Sequence, residues 1–457
     1  MTKMAQQTEQ TIWQKPNSTP KNPVDERGRF VQVANNLVLH LHPASVPLPA
    51  LNFRYTWGLG GISAVLTVML ALTGILLMFR YDARMDYAYI SIQEIETKIM
   101  LGSLLRAVHH WSANLLVISS FLHLVRVFLT GSYKQGRSSN WIIGVLLFVS
   151  VLASNFTGYL LPWDQLSYWA ITVSTNLMAY IPLFGTGLRN FFLGGPQVGQ
   201  TALNNFYALH VVFLPVLMAG MLGYHFWKVR KNGGISQPLR QDNQKVERMS
   251  TIPHLVSREM AAALLIFTLV ILFSMLRPAP LGPIANPFQS PNPAKAAWYF
   301  VGLQELLLHM QPLSALGLVA LALTAILATP YLDRQDSDIG IYFRSVVGKR
   351  AALLGTLLAI NLTPLAIILD EYFINIPDWL PNAPSWLTIG LLPFAATLAV
   401  FFLLYLGLRN SNILARQRAN HSEALLGVFS FGVAALLLLT VTGVFFRGAN
   451  MALVLPF

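Results

Sequence analysis

The chain has 457 residues, 54% of them hydrophobic and only 11% charged, whereas water-soluble domains carry about a quarter charged residues. Its 31 lysines and arginines outnumber 19 acids, for a net charge of +12, and it contains no cysteine. This is the composition of a membrane protein. The missing cysteine excludes disulfides, thiolate metal sites, iron–sulfur ligation and thioether attachment of a cofactor within this chain.

In chain order, the opening fifty residues are polar and punctuated by Pro16, Pro20, Pro23, Pro43, Pro47 and Pro49. No secretory signal is read there, so the spans themselves are expected to drive insertion. Nine segments are apolar and long enough to cross a hydrocarbon core of about 30 Å. They lie near 56–80, 104–130, 141–161, 204–229, 257–276, 313–331, 350–369, 385–408 and 423–446. With the N-terminus on the cytoplasmic-type (n) side, 22 of the 31 basic residues fall on that side and 7 on the opposite (p) side. The positive-inside rule therefore sets the orientation, and the net charge needs no nucleic acid to explain it. Five stretches follow: an n-side tail (1–55), a four-span region (56–230), an n-side basic linker (231–256), two spans with a long p-side loop (257–331) and C-terminal membrane helices (332–457). The two longest p-side connections, 162–203 and 277–312, are where function is expected to gather.

The run from Arg106 to Arg126, RAVHHWSANLLVISSFLHLVR, carries His109 and His123 fourteen residues apart. Fourteen residues make nearly four helical turns, about 21 Å, so both rings share one face. A second run, HVVFLPVLMAGMLGYH, places His210 and His225 fifteen apart, about 60° off perfect register. Side by side, two such helices present an upper and a lower histidine pair, each able to clamp a flat metal macrocycle from both faces. The fold expected is an all-α integral membrane protein of about nine transmembrane helices, with a four-helix di-haem bundle in its N-terminal half. Iron held by two histidines has no open position, which points to electron transfer and not oxygen chemistry. His110 points about 100° away from His109 and is read as structural.

Gly60 and Gly74 on the first span, and Gly144 and Gly158 on the third, repeat the fourteen-residue spacing. They are read as room for cofactor edges, against the alternative of small-residue helix packing. Arg106 and Arg126 at the ends of the second span are read as partners for haem propionates, a role compatible with snorkelling.

The motifs RAVHHWSAN, FLHLVRVFLTGSYK, TGYLLPWDQLSYWA, FYALHVVFLPVL and YHFWKVRKNGGISQPL together resemble cytochrome b of the quinol-oxidising cytochrome bc complexes. The fifteen-residue second spacing is similar to the chloroplast-type b/f branch. Cytochrome b and the small quinol-site subunit of that branch look fused here, with the seam at 230–256. The resemblance implies two non-covalent b-type haems, on His109 and His210 toward the p side and on His123 and His225 toward the n side. It implies quinol oxidation between Pro162–Tyr168, including Tyr168, and the aromatic pair Trp298 and Tyr299, and quinone reduction near Arg230 and Lys231. The implied role is that of the membrane catalytic subunit of a quinol:cytochrome c, or plastocyanin-type, oxidoreductase that contributes to a proton gradient. Its implied partners are a Rieske-type iron–sulfur protein, which catalysis requires, a c-type cytochrome, quinone, membrane lipid and a second copy. A multi-pass protein of a bacterial cytoplasmic membrane is expected.

The departures are specific. The family's Pro-Glu-Trp-Tyr reads Ala296-Ala297-Trp298-Tyr299 here, so its glutamate is absent. Glu305 is the candidate replacement base; the alternative is a buried structural carboxylate paired with His309. Gly58 stands where the b/f branch has a cysteine for an extra haem, which excludes thioether attachment. Spans 350–369 and 385–408 are either an insertion or the last spans of a longer cytochrome b. Two other classes compete. A di-haem anchor of a dehydrogenase would lack LPWDQ and the Trp-Tyr loop, and a haem-free proton-coupled transporter would show no visible absorption.

Overall fold

A backbone crossing hydrocarbon must satisfy its own hydrogen bonds, so long uncharged runs fold as helices. The computed structural model describes residues 42–236, 247–334, 339–412, 414 and 417–454. Most of the N-terminal tail and the middle of the basic linker lie outside the described residues. The first helices are α1 (Leu59–Met78), α2 (Ala88–Lys98), α3 (Gly102–Leu129), α4 (Ser138–Leu160), α5 (Gln165–Met178), α6 (Gly185–Leu193) and α7 (Gln200–Lys231). Then come α8 (Thr251–Leu276), α9 (Trp298–His309), α10 (Pro312–Leu332), α11 (Val346–Tyr372), α12 (Trp386–Asn410) and α13 (His421–Phe445). Among the described residues nine helices, all but α2, α5, α6 and α9, are long and apolar enough to cross a membrane. Each coincides with an expected segment, with only its ends shifted. The four short helices occupy stretches read as loops, because their mixed composition carries no spanning signal.

Polar side chains inside the spans are satisfied locally. Ser63, Thr67 and Thr73 on α1 donate to the carbonyls of Leu59, Ser63 and Met69, and the Ser63 and Ser119 hydroxyls meet at 2.9 Å between α1 and α3. α1 packs along α3 and α7 along α4, with α3 against α4, which makes the four-helix bundle. Leu66, Met69, Val108, Leu116, Val117 and Val151 fill part of its interior. At one end, β1 (Ser45–Pro47) pairs antiparallel with β2 (Arg248–Ser250), Ser45 opposite Ser250.

α13 organises the second half, touching α9, α11 and α12. A capping box of Asn420 and Glu423 sets its start. Close approach to α11 depends on glycine: a Cβ on Gly355 would strike the Gly427 carbonyl. The two halves meet at a buried ionic cluster. Asp333, just past α10, accepts from Lys134 (3.0 Å), Arg344 (2.6 Å), Tyr133 (2.7 Å) and Ser422 (2.7 Å).

Candidate functional site

The backbone of α7 corrects one expectation. Pro215 supplies no N–H to the helix, and residues Leu209–Phe213 just before it form a π turn. The wider turn takes up one residue, so fifteen residues from His210 to His225 behave as fourteen. The expected offset of about 60° is replaced by the shortfall of about 40° that His109 and His123 also have.

The histidines therefore meet in two tiers. The His109 and His210 ring centroids are 6.2 Å apart at 75°, and those of His123 and His225 are 6.5 Å apart at 79°. Two imidazoles bound end-on to one metal ion, with metal–nitrogen bonds of about 2.0 Å, have centroids about 6.3 Å apart. Tautomers agree with that use. The Ser154 carbonyl can only accept, so at 3.0 Å it takes the Nδ1 proton of His210 and leaves Nε2 bare. Thr73 spends its proton on Met69 O at 2.7 Å, so its oxygen accepts from His109 Nδ1 at 2.9 Å. A hydrogen bond at one ring nitrogen that frees the other is how ligand imidazoles are oriented.

The four glycines serve the same rings. A Cβ on Gly60 would lie 3.2 Å from His123 Cε1, on Gly74 3.2 Å from His109 Cε1, on Gly144 3.6 Å from His225 Cε1, and on Gly158 2.5 Å from His210 Cε1. The expected space is thus taken up by the edge of an imidazole, one glycine to each histidine.

The two arginines differ. Arg126 is 7% exposed; it lies over the Tyr55 ring, donates weakly to Tyr55 O at 3.3 Å and has a buried Nε with no partner. A buried guanidinium with an unused donor fits an anionic group. Arg106 is already engaged, by Glu96 and by the carbonyls of Ala279 (3.0 Å) and Pro280 (2.6 Å), which ties α3 to the loop after α8. Lys231 sits over the Trp227 ring at 5.0 Å, beside Arg230 at the end of α7.

The bundle's geometry has relatives. Residues 45–233 match the family described as Cytochrome b/b6/petB. Cytochrome b6 of Heliobacterium modesticaldum is 38% identical over 43% of this chain and 92% of its own length. The chain belongs to the cytochrome b family. The menaquinol:cytochrome c reductase cytochrome b subunit of Bacillus subtilis is 38% identical over 47% of this chain and 96% of that protein. A solved chain of a hyperthermophilic respiratory complex III shares the fold at a TM-score of 0.63 and 23% identity, covering 90% of this chain and 99% of that one. Membership of the family makes this a haem-binding, multi-pass electron-transport protein.

The segments around Pro162–Tyr168 and before α9 are tightly stitched. Asp164 caps α5, accepting from Ser167 N (2.9 Å) with one oxygen and from Gly282 N (2.8 Å) with the other. Gln165 N donates to Pro283 O at 2.9 Å, which joins Pro162–Tyr168 to the loop before α9. Trp298 donates to Asn114 Oδ1 on α3 at 2.6 Å, and Tyr299 packs against the bundle interior. Phe300 meets Phe156 of α4 edge-on at 5.7 Å, while Tyr168 lies against Trp163 at 6.1 Å. The aromatic segment is thus tied to the middle of α3 and to the last part of α4, and the LPWDQ segment to the loop that leads into α9.

Glu305 is not open to a ligand. It is 0% exposed, faces α13, and accepts from Arg447 Nε (3.0 Å) and Nη2 (2.6 Å) and from His309 Nε2 (3.4 Å). The pairing with His309 expected of a structural carboxylate is present, and Arg447, which sequence reading missed, is its stronger partner. His309 Nδ1 reaches Asp370 at 2.6 Å, and Arg447 Nη1 reaches Glu371 at 2.9 Å. Burial alone would lower His309, but hydrogen bonds to Asp370 and Glu305 lift it to about 9. Burial pushes Glu305 up, yet the bonds from His309 and Arg447 hold it below the usual carboxylate range. A depressed carboxylate is a poor direct base. Nothing in the sequence linked residues 305 and 447, 142 positions apart.

Proposed function

We propose that this chain is the cytochrome b subunit of a quinol:cytochrome c oxidoreductase that oxidises quinol on the p side and reduces quinone on the n side. The observation that carries it is the two tiers of paired histidines, with ring centroids at a separation that two imidazoles on one metal ion would have. His109 and His210 would hold the p-side haem, and His123 and His225 the n-side haem. When bound, two such groups would supply a route for single electrons across the membrane.

The chain's own residues do the rest. Ser154 and Thr73 fix the tautomers of His210 and His109, and Gly60, Gly74, Gly144 and Gly158 leave room for the rings to turn. Arg126 offers its unused donor to a propionate; Arg106 does so only in competition with Glu96. Quinol binds between Pro162–Tyr168 and Trp298–Tyr299, where the indole and phenol rings exclude water and orient the headgroup. Arg230 and Lys231 attract the n-side quinone. Residues 56–230 form the di-haem domain, 257–331 supply the quinol segment, and the remainder braces it. A Rieske-type iron–sulfur protein, a c-type cytochrome and a second copy complete the catalytic complex. It lies in a bacterial cytoplasmic membrane with the N-terminus on the n side, and the protons released drive a gradient. The name of the Bacillus subtilis relative makes a menaquinol the first substrate to test.

A reduced-minus-oxidised spectrum with redox titration tests this reading. Two b-type components with separate midpoints are expected, and His123→Phe should remove one while sparing the other. A single component, or none, in the unaltered protein overturns the two-tier assignment.

A further inference from the structure

We propose that Asn114 is a positioning residue for quinol oxidation: its side-chain amide ties Trp298 to the helix that carries His109 and holds the quinol segment against it. The proposal rests on the quinol reading above and adds the residue that sets the segment's place.

α3 grips the loop that leads to Trp298 at both ends. Where the loop begins, Trp111 donates to Arg277 O at 2.7 Å, and Arg106 donates to Ala279 O and Pro280 O. Where it ends, Trp298 Nε1 donates to Asn114 Oδ1 at 2.6 Å. Residues 111 and 114 are neighbours on the helix surface, so both fastenings lie within one turn of α3. Asn114 stands about 7.5 Å along the axis from His109.

The bond at Trp298 has no substitute. From Ser290 to His309, among the described residues, the other side-chain hydrogen bonds stay within the segment or run to the C-terminal half, to Asp370, Val444, Arg447 and Asn450. The bond from Trp298 to Asn114 is therefore the one that joins this segment to the four-helix bundle. The ring of Phe300 against Phe156, at 5.7 Å, is an apolar contact, and in lipid such contacts fix register weakly.

The amide fits only one way round. An indole N–H only donates and the His110 carbonyl only accepts, so Oδ1 faces Trp298 and Nδ2 donates to His110 O at 2.9 Å. Bonded at both ends, the side chain is fixed on α3 and fixes the indole in turn. Tyr299 follows, its ring 5.6 Å from that of Trp298 and packed against the cluster that includes Val108 and Leu116 of α3. A headgroup oriented by these two rings reacts at the rate their placement allows, and a misplacement of about 1 Å can cost about a hundredfold.

The test uses the purified complex, with 2,3-dimethyl-1,4-naphthoquinol as reductant and haem reduction followed by stopped flow. Asn114→Leu, which fills the same space without the acceptor, should lower the limiting rate by about tenfold or more. The quinol concentration giving half that rate should move by less than about threefold, and both haem components should keep their midpoints. Asn114→Asp keeps an acceptor for the indole and should retain most of the wild-type rate. Trp298→Phe removes the same bond from the other side, so adding Asn114→Leu to it should cost nothing further. A wild-type rate in Asn114→Leu overturns the proposal. So does an Asn114→Asp protein as slow as Asn114→Leu, or losses that multiply in the double variant, because the amide then does not act through Trp298. If Asn114→Leu loses a haem component, the other two single variants decide: Asn114→Asp must be fast and Trp298→Phe slow. If the unaltered complex is not reduced by quinol, the functional reading falls and the role of Asn114 with it.

Discussion

Gly158 shows how much one missing methyl group decides. Its hydrogen stands where a Cβ would lie 2.5 Å from His210 Cε1, closer than carbon atoms approach, while the same position at Gly144 would sit at an ordinary 3.6 Å. The Pro215 π turn and the Ser154 hydrogen bond fix the ring from the other directions, so it has little freedom to yield. Gly158→Val should therefore abolish one b-type spectral component and leave the other, whereas Gly144→Ala should retain both. The difference spectrum of each purified variant checks this, and equal effects at the two positions would show that the glycines do not act through individual rings.

At the scale of elements, the informative contact is between α9 and α13. A Cβ on Gly443 would run into Val301, and one on Gly302 would come within 2.7 Å of Thr440 Oγ1. In the last turn of α13 Val444 O accepts from Lys295 at 2.8 Å, and beyond the helix Asn292 and Asn450 are bonded at 2.8 Å. The last helix thus holds both the loop before Trp298 and the helix that carries it, which gives the C-terminal spans a role their hydropathy does not disclose. Gly443→Leu should force α13 off α9 and reduce quinol oxidation by about tenfold or more while sparing both haem components, since the bundle lies elsewhere. Loss of the haem spectrum in that variant would mean the two halves are not separable in this way.

Across the whole molecule, the halves are fastened by charge. Asp333, Lys134 and Arg344 have side chains 0% to 1% exposed, and they join the α3–α4 loop, the end of α10 and the approach to α11. Burial alone would raise Asp333, but Arg344, Tyr133, Lys134 and Ser422 hold it below the usual carboxylate range. Asp333→Asn would leave two buried cations without a counter-charge, at a cost of about 3–5 kcal/mol. A clear fall in the Tm of the detergent-solubilised protein is the expected result. An unchanged Tm would show that the cluster is not what binds the four-helix bundle to the rest.

The sequence by itself determined the membrane class, the nine spans and the two-tier histidine pattern. Hydrocarbon permits only helices of limiting length, and a helix repeats its faces at a fixed angle, so these features are periodic and local. The resemblance in LPWDQ and in the histidine segments carried the family for the same reason, since each motif is short and contiguous. Tertiary structure decided what depends on residues far apart in the chain. The π turn that brings His225 into register, the Arg447 that closes on Glu305, and the different engagement of Arg106 and Arg126 leave no periodic trace. Each is a pairing of single side chains across separate helices, and in lipid, where apolar packing discriminates little between helix faces, such polar pairings select the arrangement.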